Sequence, residues 1–441
     1  MTAAATPNRS AAGTPGVASV LRLSPQAVLA VYLLALALPQ NNVLAGGGGA
    51  ITPARLVAGG CLVWWLAARF FCRSGMDTSP NPMRRVLLLA LVLFAAADTL
   101  AFLGGVDDFR IAAADRAAML LVLSLGAALL ICDTIRDPRA LRILFGAAVI
   151  GFSASALAAV LQFVVGLNLR PLTVFPGLTA QTVNIQDLLR GGLARASGFA
   201  NHPIELAATS VVALPLAIYL ARHTKYTVFW WACAAVLVGG PLVSISRTGL
   251  LGLVVVALFL LPRFGLVRWL LSVGLLGSVV LLAGAIEPKL IDVLVSTVAG
   301  SSKDSSIWSR LTKYDYVWTH FLDKPLGGQG FGTYITPVQP FLDNQYLLTT
   351  VESGAFGVIA LLGLLFVPLR WMFKVWLGKK STTPEPLRDA AWALVVALLV
   401  SAISFGTYDG LAFPQFAGMS VVLTAMAGAV YAMVRQQEVT P

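Results

Sequence analysis

Residues 226–265 read YTVFWWACAAVLVGGPLVSISRTGLLGLVVVALFLLPRFG, two apolar runs parted by the hexapeptide Ser244–Gly249. Each run approaches the 20 or so residues a helix needs to cross the hydrocarbon core of a bilayer. Neither shows the polar stripe that a soluble amphipathic helix keeps for water. The hexapeptide carries one charge, Arg247, so the segment reads as a hairpin of two spans near 226–243 and 248–265.

The pattern extends both ways. Further spans are expected near 24–40, 51–71, 85–104, 112–133, 142–166 and 203–221, then near 267–286, 345–370, 389–407 and 414–434, about twelve in all. Composition agrees, with 58% hydrophobic and 12% charged residues against a charged share of roughly 25% in soluble domains. No soluble fold of 441 residues could hide so much apolar surface. The runs recur along the whole chain, which excludes a lone cleavable signal segment. The expected class is an all-α integral membrane protein, with residues 1–23 a disordered tail.

A net charge of +11 would point to nucleic acid in a soluble protein. In a membrane protein it follows from the loading of Lys and Arg onto cytoplasmic connections. With the N-terminus inside, Arg73, Arg84, Arg85, Arg136, Arg139, Arg142, Arg222, Lys225, Arg263 and Arg268 fall on that side. Arg370, Lys374, Lys379, Lys380, Arg388 and Arg435 follow. Both termini are then cytoplasmic, in a multi-pass membrane protein. The four cysteines form no CxxC pair and there are only three histidines, so no disulfide framework, metal centre or cofactor is expected.

Two connections, 167–202 and 287–344, are long and extracytoplasmic in this scheme, and loops of that length usually carry function. They divide the chain into a tail (1–23), N-terminal spans (24–166), a first loop (167–202), central spans (203–286), a large loop (287–344), C-terminal spans (345–434) and a tail (435–441). Trp308, Leu311, Tyr314, Val317, Trp318 and Phe321 recur at helical spacing in the large loop. They predict an amphipathic helix on the membrane surface or over a cavity.

Several residues stand against the charge bias on this outer side. Arg195 lies in LARASGFANHP (193–203) and Arg247 in SISRTG (244–249). A guanidinium beside small and hydroxyl residues suits a phosphate oxygen pair, or it anchors to lipid headgroups. In PLGGQGFGTY (325–334), Gly328, Gly330 and Gly332 alternate, as a hinge or a close approach of backbone to ligand. FLDNQYLLTTVESGAFG (341–357) places Asp343 at the mouth of a span and Glu352 inside it. Asp343 reads as a helix cap or a base, and Glu352 as a functional acid or a packing hydrogen bond. His202 and His320 share this side without an evident nucleophile.

Taken together these segments resemble the O-antigen ligase/polymerase superfamily of bacterial envelope glycosyltransferases. The resemblance rests on Arg195, Ser197, Gly198, Phe199, Asn201 and Pro203; on Ser244, Ser246, Arg247, Thr248 and Gly249; on Arg310, Trp318, Pro325 and the glycine run ending at Tyr334; and on Asn344, Tyr346, Leu347, Glu352 and Gly354. It covers roughly residues 190–370. It implies a GT-C-like, metal-independent glycosyltransferase that takes a saccharide from an undecaprenyl-pyrophosphate carrier at the extracytoplasmic face. Arg195 and Arg247 would hold the pyrophosphate, with Asp343 as base. Asn201, His202, Ser246, Arg310, Gly328, Gly330, Asn344, Tyr346 and Glu352 would bind substrate.

Members that ligate O-antigen to lipid A-core carry His where this chain has Asp343. That departure favours a polymerase of O-antigen or exopolysaccharide repeat units, with ligase as the alternative and a lipid-linked sugar transporter as the reading from another class. Partners implied are the lipid-linked saccharide, membrane lipid and a chain-length regulator, with no nucleic acid.

Overall fold

A computed structural model describes residues 24–46, 51–71, 81–181, 189–190, 192–267, 287–299, 306–378 and 383–439, with scattered positions between 269 and 285. The expected tail 1–23 lies outside the described residues. The chain is built of helices, joined on one face by two short antiparallel ladders.

The helices are α1 (Pro25–Ala37), α2 (Pro53–Phe70), α3 (Pro82–Leu103), α4 (Asp108–Thr134), α5 (Pro138–Val165), α6 (Pro203–His223), α7 (Thr227–Val243) and α8 (Arg247–Phe264). Then come α9 (Pro288–Ala299), α10 (Ser306–Asp323), α11 (Gln345–Leu377), α12 (Glu385–Phe405) and α13 (Pro414–Val439). A helix stands at each of the other expected spans, and at the ninth, near 267–286, the described residues are helical while the rest lie outside the described residues. Among the described residues seven helices, α3, α4, α5, α6, α11, α12 and α13, are long and apolar enough to cross a membrane.

Proline opens α1, α2, α3, α5 and α6, where its missing N–H has no helical partner to lose. Thr52 and Asn81 cap α2 and α3 by accepting the N–H of Arg55 and Met83. Burial sorts the helices into layers. The apolar stretch of α6 is 94% buried and that of α3 only 28%, so α6 forms the centre with α12 and α13 while α3 faces lipid.

The connections cluster by face. Strand β1 (Asn42–Leu44) pairs with β2 (Leu178–Ala180), tying the α1–α2 connection to the first long loop. Asn42 seals this join through its amide to the Thr173 carbonyl, 3.0 Å. Strands β3 (Leu189–Arg190) and β4 (Leu193–Ala194) form a small hairpin beyond it. This loop face also holds the 244–246 turn, the 324–344 stretch and the 406–413 connection.

Two expectations for the large loop are refined. It holds the amphipathic helix as α10, with Trp318 exposed and Val317 buried, and a second helix, α9, that the sequence reading left out. The tenth span is not one regular helix. Gly354 adopts φ 54°, ψ −152° inside α11, and the helix breaks there.

Candidate functional site

The site is assembled from two irregular places on the loop face. The first is the turn between α7 and α8. Ile245 has φ 48°, a left-handed backbone that a β-branched residue rarely adopts. Arginines fasten this turn from outside. Arg195 is buried and donates from Nε to the Ser244 carbonyl, 2.9 Å. Arg190 donates from Nη1 to the Ile245 carbonyl, 2.9 Å. Ser246 occupies the N-cap of α8 without a side-chain capping bond, so the first-turn N–H groups are not closed off by its hydroxyl. Arg247 follows as the first helical residue and is exposed. A cavity of about 150 Å³ adjoins Arg195, with Gln162 and Glu287 in its wall.

The neighbouring expected residues have structural partners. Asn201 donates its N–H to Glu205 Oε2, 2.9 Å. His202 caps α6 by accepting the Ile204 N–H on Nδ1, 3.1 Å. Glu205 is fully buried, and its other oxygen accepts the N–H of Gln415 at the start of α13, 2.8 Å. Arg170 donates to the carbonyls of Gly198 and Ala200. The first long loop is thus clamped onto α6 and α13.

The second place is the break in α11. The Val351 and Glu352 carbonyls, left without helical partners, accept N–H groups from Gln329 (3.0 Å) and Gly330 (2.7 Å). In return Ala355 and Phe356 donate to the carbonyls of Pro325 (2.8 Å) and Leu326 (3.2 Å). The interlock needs glycine on both sides. A Cβ on Gly328 would lie 2.5 Å from the Glu352 backbone, and one on Gly354 would lie 2.6 Å from Leu326. The glycine run is here a stitch through a broken helix.

The stitch fixes Glu352. Its Oε1 accepts the Tyr334 N–H, 3.1 Å, and its carboxylate also receives the Gly332 N–H. Phe331 gives its N–H to Asp98 of α3, 2.7 Å. Beside them opens a cavity of about 340 Å³, lined by Glu352, Asp409, Tyr334, Gln345 and, from α4, Arg116 and Ser124. Asp409 sits in the α12–α13 connection. Burial, with the nearby Asp343 carboxylate adding to it, pushes the Asp409 pKa up to about 6.

Asp343 stands elsewhere. It has φ 48°, its side chain is 65% exposed, and it pairs with Lys313 at 2.9 Å. It is not the helix cap. Asn344 is, accepting the N–H groups of Tyr346 and Leu347. Asn344 also donates to the Gly406 carbonyl, 3.1 Å, and Tyr346 to the Ala402 carbonyl, 2.8 Å. Both join α11 to the end of α12. The Arg310 side chain lies outside the described residues.

The 406–413 connection bridges the two places. Thr407 Oγ1 meets Thr248 Oγ1 of α8 at 2.8 Å, two residues from Asp409. The structure therefore joins Arg195 to the turn that carries Ser246 and Arg247, and it brings the connection that holds Asp409 against the first turn of α8. The sequence reading missed Asp409, Arg190, Glu205 and Arg116. Asp409 in FGTYDGLAF (405–413) reads as an ordinary turn residue, and only its lining of the cavity marks it.

Residues 232–362 match the family model described as O-antigen ligase. This part of the chain is of the O-antigen ligase/polymerase superfamily. The ligase-type segment runs from α7 through the break in α11 and contains Arg247, the glycine run and Glu352. Arg195 and Asp409 lie outside it. No curated protein matches the chain. The apolar helices make this a multi-pass membrane protein, and its segment 232–362 is similar to the O-antigen ligase family.

Proposed function

We propose that the protein is a metal-independent glycosyltransferase, moving a saccharide from an undecaprenyl-pyrophosphate carrier onto an acceptor sugar at the extracytoplasmic face of the inner membrane. The reading includes about twelve spans in a GT-C-like arrangement, both termini inside, and a chain-length regulator as partner. The observation that carries it is the arginine-fastened, uncapped start of α8, set one connection away from a cavity with two carboxylates.

Helix N–H groups and guanidinium forks suit a pyrophosphate, and they stabilise the charge that gathers on it as it leaves. Arg247 presents directly to the carrier, while buried Arg195 sets the turn and its positive field. These cations neutralise the leaving group in the way metal ions do elsewhere. An acceptor hydroxyl in the cavity forms the new bond to the anomeric carbon as the bond to pyrophosphate oxygen breaks. The proton passes to Asp409. A general base works best with a pKa near the working pH, which Asp409, near 6, approaches; Asp343 is exposed and paired with Lys313 instead of lining the cavity. Asp343 then acts behind Asp409 through its charge.

Polymerisation of O-antigen or exopolysaccharide repeat units is the preferred reaction, because Asp343 replaces the histidine of the ligases. Ligation to lipid A-core is the alternative. The break in α11 beside Glu352 favours one further reading, a lipid-linked sugar transporter, since transporters build sites on interrupted helices. Lipid-linked intermediates in cells lacking the protein separate the three. Single undecaprenyl-linked repeat units are expected. Long lipid-linked polymer would instead indicate a ligase, and a precursor confined to the inner leaflet a transporter.

A further inference from the structure

The 340 Å³ cavity that Glu352 and Asp409 line also carries a cation in its wall. Ala113, Arg116, Ala117, Leu120 and Ser124 of α4 line it, at the three- and four-residue spacing that shares one helix face. Among the described residues no carboxylate is paired with Arg116. Behind it Arg55, from the first turn of α2, lines a small adjoining space with Ser124 and Leu120. Arg55 and Arg116 are close enough to repel one another. Two like charges held together favour an anion between or beside them.

The carboxylates opposite do not fill that role. Glu352 is engaged by the N–H groups of Tyr334 and Gly332. The cavity therefore carries carboxyl groups from α11 and the α12–α13 connection and a guanidinium from α4. Its volume lies in the range that encloses a small ligand, and Tyr334 offers a ring on which a sugar face can rest. These cations are distinct from the Arg190, Arg195 and Arg247 group at the start of α8.

Taking glycosyl transfer at the loop face as the activity, we infer that the acceptor is an acidic saccharide, held with its anionic group on Arg116 and its reacting hydroxyl toward Asp409 and Glu352. The arginine orients the acceptor, and a neutral sugar of the same size lacks that hold. A carboxylated or a phosphorylated sugar would supply the charge, and a guanidinium fork accepts either.

Equilibrium binding to the full-length protein in detergent tests this, with three matched tetrasaccharide probes ending in glucuronate, glucose 6-phosphate or glucose. At least one acidic probe should bind about tenfold more tightly than the neutral one, the value of one charge-assisted contact. Whichever acidic probe binds more tightly names the acid. Arg116→Gln should bring the acidic probes to the level of the neutral probe and leave the neutral probe unchanged. Arg116→Lys should keep part of the preference, which shows that the fold survives substitution there. Equal affinity for all three probes, no binding of any, or a preference that persists in Arg116→Gln overturns the inference. Binding of radiolabelled lipid-linked donor separates it from the reading beneath. Failure of the wild-type protein to hold the donor sinks glycosyl transfer, whereas donor binding retained with no acid preference sinks only the acidic acceptor.

Discussion

Charge is handled in opposite ways at the two ends of the helical bundle. Away from the long loops, side chains satisfy one another. Asp133 receives Arg84 and Trp65, each at 2.9 Å, and Asp389 receives Arg222, His223 and Arg263. At the loop face the main chain takes over. Glu352 and Glu205 accept backbone N–H groups, while Arg170, Arg190 and Arg195 donate to backbone carbonyls. Asp343 with Lys313, and Asp107 with Arg110, are exceptions among the described residues. A paired charge is neutralised and serves to hold helices together. A side chain held by backbone groups stays aimed, so it remains able to act on a ligand. The first end is scaffold and the second is the site.

The sharpest way to break that contrast is to compare the two aspartates. Asp409→Asn should lower polymer formation from lipid-linked saccharide by about 10²–10⁴-fold, the range for loss of a general base. Asp343→Asn should cost less than about tenfold, because it removes only a neighbouring charge. If the order reverses at equal protein level, the exposed, Lys313-paired carboxylate is the base.

Next in size are the arginines at the α8 turn. Arg195→Lys and Arg247→Lys should each slow transfer by about tenfold or more, since an ammonium cannot reproduce the fork. Initial rates in membranes, normalised to protein, decide it. Full activity in both would assign this turn to the scaffold.

The scaffold end predicts the reverse behaviour. Asp389→Asn should leave the rate per folded molecule unchanged and lower thermal stability. Arg222 and Arg263 keep 24% and 20% of their side chains exposed, so the loss is about 1–3 kcal/mol, below that of a fully buried broken pair. A slower enzyme of normal melting temperature would blur the division between the two ends.

The smallest effect is on pH. Asp409 must be ionised to take a proton, and its pKa is pushed up to about 6. Transfer should therefore be complete above that pH and fall away as the pH drops through it. Asp343→Asn removes a charge that opposes ionisation, so the acid limb should move to lower pH. A limb that stays in place disconnects the two carboxylates.

Much of the site was legible in pieces. Arg195 and Arg247 stood out because each contradicts the charge bias of a membrane protein, and Glu352 because an acid inside a span is expensive. The glycine run was visible as a pattern but not as a stitch, since its partner, Gly354, lies 22 residues beyond Gly332. Asn344 and Tyr346 read as binding residues only by resemblance, and the structure adds that their side chains reach across to the end of α12.

The sequence by itself determined that this chain is helical and made for a membrane, where its helices begin, and which family its central segment belongs to. Those properties follow from apolar run length, from proline and small polar residues at helix starts, and from short motifs, all of them local. Only the tertiary structure decided which charges meet. Asp409 lies 57 residues from Glu352 and 293 from Arg116, and packing of α4, α11 and the α12–α13 connection brings them to one cavity. Electrostatic coupling depends on distance and burial rather than on sequence separation. A lone aspartate in a turn therefore carries no mark of its role until the helices are packed.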